Sequence, residues 1–353
     1  MRFKKIVLSS LLVILTGLLV LVIRFSIATT PAMKDGGIAG LEKIQIGGVD
    51  QWILIRGENV SKPVLLFLHG GPGFAEMVLT RQLNAELEKN FIVVNWDQRG
   101  AGKSFSEQLD EKTVTSEQLL SDTYELVQYL KKRFHRDKIF LLGHSWGSYL
   151  GLKTAYDHPD DFYAYIGIGQ LINGNKGEQL SYEWTKKMAL QAHNEKAINE
   201  LEAINIKEGI YRNGMEEKHI ERKWLWYYKG FLHNLDTKDL YYRLLIATEY
   251  TIFDKINFIK GIDYSEGNIG EQWLQNLKFD EEIKSIKTPV YFIQGKYDYN
   301  TPSELVRDFY VMMDAPRKEY IEFENSAHSP NYEEPVRFCR EMRRISQTLL
   351  KNY

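Results

Sequence analysis

The sequence predicts an α/β protein, in which helices cover both faces of a mostly parallel sheet and an inserted helical cap divides it. Short β-type runs alternate with helical periodicity over residues 43–168 and again over 289–350, a pattern typical of parallel sheets. Residues 170–284 between them show helical periodicity, many aromatic residues and no convincing strand. An uncharged apolar run at residues 6–23 adds a predicted transmembrane helix before the sheet.

The elements can be placed in order from these patterns. The predicted strands are residues 43–46, 51–56, 64–69, 91–96, 138–142, 163–168, 289–294 and 319–323, and the predicted helices of the sheet layers are 116–134, 146–157, 302–314 and 330–350. The resulting division is a membrane anchor or signal segment at 1–28, a linker at 29–40, the first part of the core at 41–170, the cap at 171–285 and the second part of the core at 286–353.

Composition excludes several classes of function. The chain has 353 residues and a formal net charge of −2, which gives no electrostatic reason to expect nucleic acid as a partner. Its single cysteine, Cys339, excludes an intramolecular disulfide framework and leaves too few thiols for a zinc cluster. We expect Cys339 to be a packed, inert thiol in the last helix, and we expect no metal and no organic cofactor.

The apolar run at residues 6–23 has the length of a membrane span. As a helix it would extend for roughly 27 Å, close to the hydrocarbon thickness of a bilayer. Arg2, Lys4 and Lys5 precede the run and only Arg24 closes it, which predicts a cytoplasmic N-terminus and an extracytoplasmic body. We favour an uncleaved single-pass anchor; the alternative is a cleaved signal peptide, which would leave a secreted protein.

A Gly-His-Ser-Trp-Gly motif at residues 143–147 fits the pattern G-x-S-x-G. It follows a predicted strand and opens a predicted helix, so Ser145 would lie on a sharp strand-to-helix turn. Glycines on both sides relieve crowding there, and the turn lifts the hydroxyl above the sheet edge. This context predicts that Ser145 is a nucleophile, although a serine at this position can also be a simple helix N-cap.

A His-Gly-Gly-Pro-Gly segment at residues 69–73 directly follows the strand 64–69. Glycine backbone at this point can approach a substrate closely and present an N–H group to a tetrahedral oxyanion. We predict that Gly71 is the first donor, with Gly70 as the alternative, and that the second donor is the amide of Trp146. The competing interpretation is an ordinary Gly-Pro turn.

A nucleophilic serine needs a histidine to take its proton and a carboxylate to orient that histidine. His328 lies in a loop after the strand 319–323, and Asp298 lies just after the strand 289–294. Both follow the carboxyl ends of strands, where sites gather on open α/β sheets. We predict that His328 is the base and Asp298 the acid, with Asp314 and Glu324 as nearby alternatives for the acid.

The segment Gly-Ala-Gly-Lys-Ser at residues 100–104 superficially resembles a phosphate loop. The required pattern places glycine five positions before Gly102, but Asp97 stands there, which excludes a phosphate loop. We expect Asp97 and Arg99 to make internal polar contacts in the loop after the strand 91–96.

The motifs at residues 69–73, 97–104 and 143–147, together with Gly-Lys-Tyr-Asp at 295–298 and the His328 loop, resemble the proline iminopeptidase family of α/β-hydrolases. The resemblance spans the chain from about residue 40 to its end, and it implies the α/β-hydrolase fold, the same triad and the same oxyanion donors. Peptidases of this family use cap carboxylates to hold the free amine of the substrate. Glu183 and Glu249 are candidates for that role, although helix carboxylates are more often simply solvated.

These observations predict a serine hydrolase that cleaves an amide or ester bond in a small substrate. The leading hypothesis is an aminopeptidase that releases small N-terminal residues such as proline. The alternatives are a carboxylesterase or lipase-like enzyme that acts on apolar esters and, more remotely, a non-catalytic binding protein with a hydrolase fold.

Overall fold

A computed structural model describes residues 15–17 and 26–350 of the chain. The strands are β1 (Ile38–Ile46), β2 (Val49–Gly57), β3 (Val64–Leu68), β4 (Ile92–Asp97), β5 (Ile139–His144), β6 (Phe162–Ile168), β7 (Ile206–Lys207), β8 (Ile210–Tyr211), β9 (Val290–Gly295) and β10 (Lys318–Phe323). Eight of them form one sheet in the order β1-β2-β4-β3-β5-β6-β9-β10. β2 pairs antiparallel with both β1 and β4, and the other pairs in this sheet are parallel.

Helices separate the strands and cover the sheet. They are α1 (Met77–Leu83), α2 (Ser116–Phe134), α3 (Trp146–Asp157), α4 (Gly174–Gln191), α5 (Glu195–Glu202), α6 (Met215–Tyr227), α7 (Thr237–Ile246), α8 (Ile252–Ile269), α9 (Gln272–Asn276), α10 (Phe279–Glu282), α11 (Ser303–Met312), α12 (Pro330–Glu333) and α13 (Pro335–Leu350). The predicted α/β fold with a mostly parallel sheet is confirmed.

The central strands are buried because helices pack on both faces of the sheet. All residues of β3 and β5 are buried, as expected for strands that read as continuous apolar runs. Leu126 and Leu130 of α2 belong to the core cluster on one face. Phe338 and Met342 of α13 belong to a second core cluster, which contains the strand side chains on the opposite face of the sheet. This double cover makes the sheet a rigid frame for the loops at its edge.

Residues 169–289, all of which the structure describes, connect β6 to β9 through α4–α10 and the short hairpin of β7 and β8. We call the part from α4 to α10 the cap. Polar contacts join the cap to the loop after β4: Tyr250 Oη donates to Asp97 Oδ2 at 2.6 Å, and Lys103 Nζ lies 2.5 Å from Asp254 Oδ2. The cap is therefore fixed to the core beside the sheet edge.

The structure differs from the predictions at element boundaries. Residues 38–40, which we assigned to the linker, pair with β2 and begin β1. The predicted final helix is interrupted at Glu334. Proline in a helix interior removes a hydrogen bond and clashes with the preceding turn, so Pro335 begins a new helix instead of extending the first one. The hairpin of β7 and β8 was not predicted, since strands of two residues leave no periodic signal.

Most of the apolar run at residues 6–23, which we predicted to be a membrane anchor, lies outside the described residues. Among the residues that are described, no helix has the length and apolar character needed to cross a bilayer. Cys339 is a buried free thiol on α13, as predicted, and burial raises its pKa to about 12.

Candidate active site

Ser145 lies on the sharp turn between β5 and α3. Its backbone has φ 53° and ψ −119°. Residues other than glycine adopt this conformation only when the surrounding structure enforces it. A Cβ atom at Gly147 would lie 2.1 Å from the Leu68 carbonyl oxygen, and one at Gly143 would lie 2.2 Å from the Gly147 oxygen. Only glycine fits at these two positions, which explains the predicted motif.

His328 and Asp298 form a buried pair. His328 Nδ1 lies 3.0 Å from Asp298 Oδ2, and both side chains are almost fully buried. The Asp298 carboxylate also accepts hydrogen bonds from the backbone amides of Asn300 and Thr301 and from the Thr301 hydroxyl. The carboxylate is thereby fixed, and its contact with Nδ1 leaves Nε2 of the neutral ring as an acceptor.

Asn300 is a neighbour of this pair that the sequence analysis missed. Its Nδ2 lies 3.2 Å from His328 Nε2, so the Asn300 amide donates to the nitrogen that a serine hydroxyl would need. Asp314 and Glu324, the alternative acids, are exposed and make no contact with His328 within the described residues.

The Gly-rich loop after β3 lies opposite the serine turn. Gly71 has φ +113°, and a Cβ atom there would lie 2.5 Å from the Gly73 nitrogen. The Gly70 amide is already engaged, because it donates to Glu76 Oε2 at 3.0 Å. Trp146 is the first residue of α3, and the first amides of a helix have no intrahelical acceptor. This leaves Gly71 and Trp146 as the available donors.

Glu76 and His144 form a second buried pair that the sequence did not reveal. Glu76 Oε1 lies 2.7 Å from His144 Nδ1, and His144 Nε2 lies 3.1 Å from the His328 carbonyl oxygen. Burial acts to lower the pKa of His144, but the adjacent Glu76 carboxylate outweighs it and the pKa is raised. The contacts of its two ring nitrogens let His144 link the glycine loop, the serine turn and the His328 loop.

These loops and the cap enclose a cavity of about 440 Å³. Ser145, His328 and Gly71 line its core side, together with Asn300. The lining from the cap is largely apolar and aromatic: Trp226, Phe231, Leu232, Leu240, Leu244, Phe258, Ile262, Trp273 and Leu274. A volume of this size suits a small molecule or the end of a peptide.

The side of the cavity that the cap forms, which we call the cap wall, also contains a cluster of charged side chains that neutralise one another. Glu178 accepts two hydrogen bonds of 2.7 Å from Arg222 and lies 3.2 Å from Lys218 Nζ. Burial acts to raise the pKa of Glu178, but Arg222 and Lys218 lower it. Arg222 also pairs with the buried Glu221. The Glu178 carboxylate is therefore already compensated by cations of the protein.

Two further carboxylates line the same cavity. Glu271 lies 3.6 Å from Lys218 Nζ. Glu266, on α8, is partly exposed to the cavity, and its carboxylate has no ion-pair or hydrogen-bond partner within the described part of the chain. Glu266 is thus an acidic group in the cavity whose charge the described protein does not balance.

The two cap carboxylates proposed from the sequence lie elsewhere. Glu183 is exposed on α4, where it accepts a hydrogen bond from Gln179, and it does not line the cavity. Glu249 is fully buried and pairs with Arg81 at 2.7 Å. The structure brings neither of them to the cavity, because Glu183 points to solvent and Glu249 packs against the core.

The loop that superficially resembled a phosphate loop has the internal contacts that we predicted. Arg99 makes two hydrogen bonds, of 2.8 and 3.0 Å, to the carboxylate of Asp122. Asp97 accepts from the Lys103 amide and the Tyr250 hydroxyl, and burial raises its pKa to about 7. Neither side chain lines the cavity.

The eight-stranded sheet, the serine on its strained turn and the cap above the strand ends together define an α/β-hydrolase. Residues 60–240 match the model of one family within this class, serine aminopeptidase S33. The chain belongs to the serine aminopeptidase S33 family and is of the proline iminopeptidase-like kind. It is therefore a hydrolase.

Individual relatives agree with this assignment. The chain is 33% identical over 316 residues to a probable aminopeptidase, YbaC, of Bacillus subtilis (strain 168), a match that covers 87% of this chain and 96% of the relative. It is 26% identical over 293 residues to the proline iminopeptidase of Heyndrickxia coagulans, covering 80% and 89%. The crystal structure of the proline iminopeptidase of Mycobacterium smegmatis superposes with a TM-score of 0.62 at 15% identity, covering 88% and 98%, which shows a shared fold.

Proposed function

We propose that this hydrolase is an aminopeptidase that cleaves the amide bond after a small N-terminal residue such as proline, with Ser145 as nucleophile, His328 as base and Asp298 as the orienting carboxylate. One observation carries the proposal: Ser145 and His328 line the same cavity, and the buried Asp298 contacts the far nitrogen of His328. A histidine held in this way can take the serine proton.

The proposed reaction is acyl transfer to water. Ser145 Oγ attacks the substrate carbonyl carbon while His328 Nε2 takes its proton, so Ser145 replaces Asn300 as the donor to that nitrogen. The tetrahedral adduct collapses, the C–N bond breaks, and His328 returns the proton to the leaving amine. Water then attacks the acyl-enzyme in the same manner, which releases the free acid and restores Ser145.

The oxyanion of each adduct would accept hydrogen bonds from the Gly71 and Trp146 amides. The engaged amide of Gly70 supports this choice of donors. In related chemistry one such donor contributes roughly 3–4 kcal/mol to stabilising the transition state.

Recognition of a free N-terminus would come from the cap. An ammonium group in a largely apolar cavity needs a carboxylate partner, and Glu266 is the cavity carboxylate without a partner among the described residues. Glu271, already 3.6 Å from Lys218, would assist it. The names of the relatives, which are aminopeptidases and proline iminopeptidases, also support this function.

A carboxylesterase is the second candidate, and the apolar lining of the cavity favours it. Trp226, Phe258 and Trp273 could enclose an acyl chain as readily as a proline ring. The two candidates differ in whether the substrate must carry a cation.

Three substrates separate them: a prolyl amide with a free amine, the same amide with an acetylated amine, and a short acyl ester. Each is assayed with the protein and with Ser145→Ala. We expect turnover of the free-amine amide, much slower turnover of the acetylated amide, and none by the variant. Activity on the ester alone would overturn the aminopeptidase and favour the esterase.

We also propose that residues 6–23 anchor the enzyme in a membrane with its catalytic body on the extracytoplasmic side. The length of the run and the basic residues before it support this location. Cell fractionation tests it: recovery in the membrane fraction, resistant to high salt, is expected, whereas recovery in the culture medium would mean that the segment is cleaved.

A further inference from the structure

The cap carries an apolar surface on α7 and α8. Eight large hydrophobic side chains are exposed on these two helices: Tyr241, Tyr242, Leu245, Ile246, Ile252, Phe253, Ile256 and Ile259. We call them the apolar face. Elsewhere in the described part of the chain, exposed hydrophobic side chains are scattered singly or in pairs. Large exposed apolar surfaces mark places where a protein contacts a partner or a membrane.

The helices do not use this face for packing within the described structure. No residue of α7 is buried, although most of its residues after Asp239 are apolar. On α8, the exposed positions Ile252, Ile256 and Ile259 recur at helical spacing, while Phe258 on another side of the helix is buried. On α8 these exposed side chains thus form a stripe separate from the side that packs on the protein, whereas on α7 Tyr241 also lines the cavity.

The chain enters the body of the protein beside this face. The Thr29 amide donates to the Thr248 carbonyl oxygen at 2.8 Å, and Thr248 lies in the turn between α7 and α8. The apolar run ends at residue 23. Six residues can span at most about 20 Å, so a membrane span that ends at residue 23 would be tethered by a short connection to the turn between α7 and α8.

We propose that the apolar face docks on the surface of the lipid bilayer in which residues 6–23 are anchored. The proposal rests on the proposed anchor and goes beyond the proposed reaction. A membrane span that ends within this reach of Thr248 allows the turn to contact the headgroup region, which adds roughly 5–8 Å to each side of the hydrocarbon core. Amphipathic helices in that region sink their apolar side by about 5–10 Å.

The chemistry of the face suits a lipid surface. Tyr241 and Tyr242 are residues that gather at membrane interfaces, where the ring is apolar and the hydroxyl reaches water. Lys238 is exposed on α7, and Lys260, which pairs with Glu107 at 2.6 Å, lies on α8. Long basic side chains at the edge of such a face can reach lipid phosphates while their stems stay in the apolar layer.

Docking would also place the cavity next to the membrane. Leu240 and Leu244 of α7 and Phe258 and Ile262 of α8 line the cavity. Tyr241 of the apolar face lines it too, so the cavity lies beside the proposed lipid surface. Substrates that collect at the membrane would meet the cap first.

Fluorescence quenching in proteoliposomes tests the proposal with the full-length chain. Cys339 is buried, so a single added cysteine can be labelled selectively. We would attach an environment-sensitive fluorophore to Phe253→Cys on α8 and to Tyr242→Cys on α7. The matched controls are Val336→Cys on α13 and Val311→Cys on α11, because these side chains are also exposed, Val336 at 80% against 69% for Phe253.

We expect lipids with nitroxide groups on their acyl chains to quench most of the emission at 253 and 242 and little at 336 and 311, with the reverse order for aqueous iodide. Equal iodide quenching at all four positions would overturn the proposal. Protection from both quenchers at 253 and 242 would also overturn it, because a second copy or residues 6–23 would then cover the face. The readout does not depend on activity, so failure of the proposed reaction leaves it intact.

Discussion

The two walls of the cavity differ in how their polar groups are partnered. On the core wall, Asp298 accepts four hydrogen bonds and Glu76 is held by Gly70 and His144. On the cap wall, Glu178 is neutralised by cations, but Glu266 has no partner among the described residues. The core wall is organised before a substrate arrives, whereas the cap wall retains a charge that a substrate can satisfy.

This difference separates reactivity from specificity. Groups with fixed hydrogen bonds lose no orientation during a reaction and so stabilise its charge changes efficiently. An unpartnered carboxylate stabilises a ligand that carries the opposite charge. Substitutions in the core wall should therefore abolish turnover of every substrate, and substitutions in the cap wall should change the choice among substrates.

The largest effect is expected from Ser145→Ala. Removing the proposed nucleophile should lower kcat by about 10⁴- to 10⁶-fold on amide and ester substrates alike. Steady-state assays measure this loss, and circular dichroism checks that the fold is retained. Retention of activity on either class would show that the core wall does not supply a common nucleophile.

Asp298→Asn should lower kcat by roughly 10⁴-fold, since an amide in this position no longer stabilises the imidazolium or selects the right tautomer. Asp314→Asn is the control, because Asp314 is exposed and lies outside the cavity lining. Kinetic assays of both variants compare the acids. A large loss in the control with little loss in Asp298→Asn would reverse the assignment.

Asp97→Asn tests the contact between the core and the cap, in which Asp97 accepts a hydrogen bond from Tyr250. Burial raises the pKa of Asp97 from its ordinary value of 3.8 to about 7, so between these values the folded state holds a proton that the unfolded state has lost. The free energy of unfolding should then fall as pH rises from 4 to 7, by about 4 kcal/mol at about 1.4 kcal/mol per pKa unit.

The side-chain amide in the Asp97→Asn variant does not titrate. The free energy of unfolding of this variant should therefore lack the decrease of about 4 kcal/mol that Asp97 causes between pH 4 and 7. Urea denaturation of both proteins at pH values of about 4.5 and 7.5, which bracket most of the change, measures the difference. Parallel pH profiles would mean that Asp97 is ionised in the folded protein and that its contact with Tyr250 is a charged one.

The smallest effect is expected from Glu266→Gln. The variant should lose roughly 10- to 100-fold in kcat/KM on a free-amine amide, since a hydrogen bond to a charged group contributes about 1.5–3 kcal/mol, and little on an acyl ester. Glu183→Gln, on an exposed face of the same cap, is the control and should leave both activities unchanged. An equal loss on both substrates would remove the distinction between the two walls.

The serine turn of the core wall could be predicted from the sequence because its signals are local. Gly143 and Gly147 flank Ser145 for a steric reason that any sequence with this turn must satisfy. The two ends of α2 could also be predicted from the sequence. Thr115 caps its first turn, and His135 ends it in a left-handed conformation.

The cap wall and the Glu76–His144 pair could not be predicted in this way. Glu76 contacts a histidine 68 residues further along the chain, and no local pattern encodes that approach. Glu183, Glu249 and Glu266 all lie in or near helices of similar composition. Which of them faces the cavity depends on how the cap helices rotate against the core, and this is set by tertiary packing.

A covalent probe can test directly whether Ser145 is an activated nucleophile. We would treat the protein with a fluorophosphonate and locate the adduct by peptide mass spectrometry, with Asp298→Asn and Ser145→Ala in parallel. We expect an adduct on Ser145 in the wild-type protein, much slower labelling of Asp298→Asn and no labelling of Ser145→Ala. An unlabelled wild-type protein, or an adduct on a different residue, would contradict it.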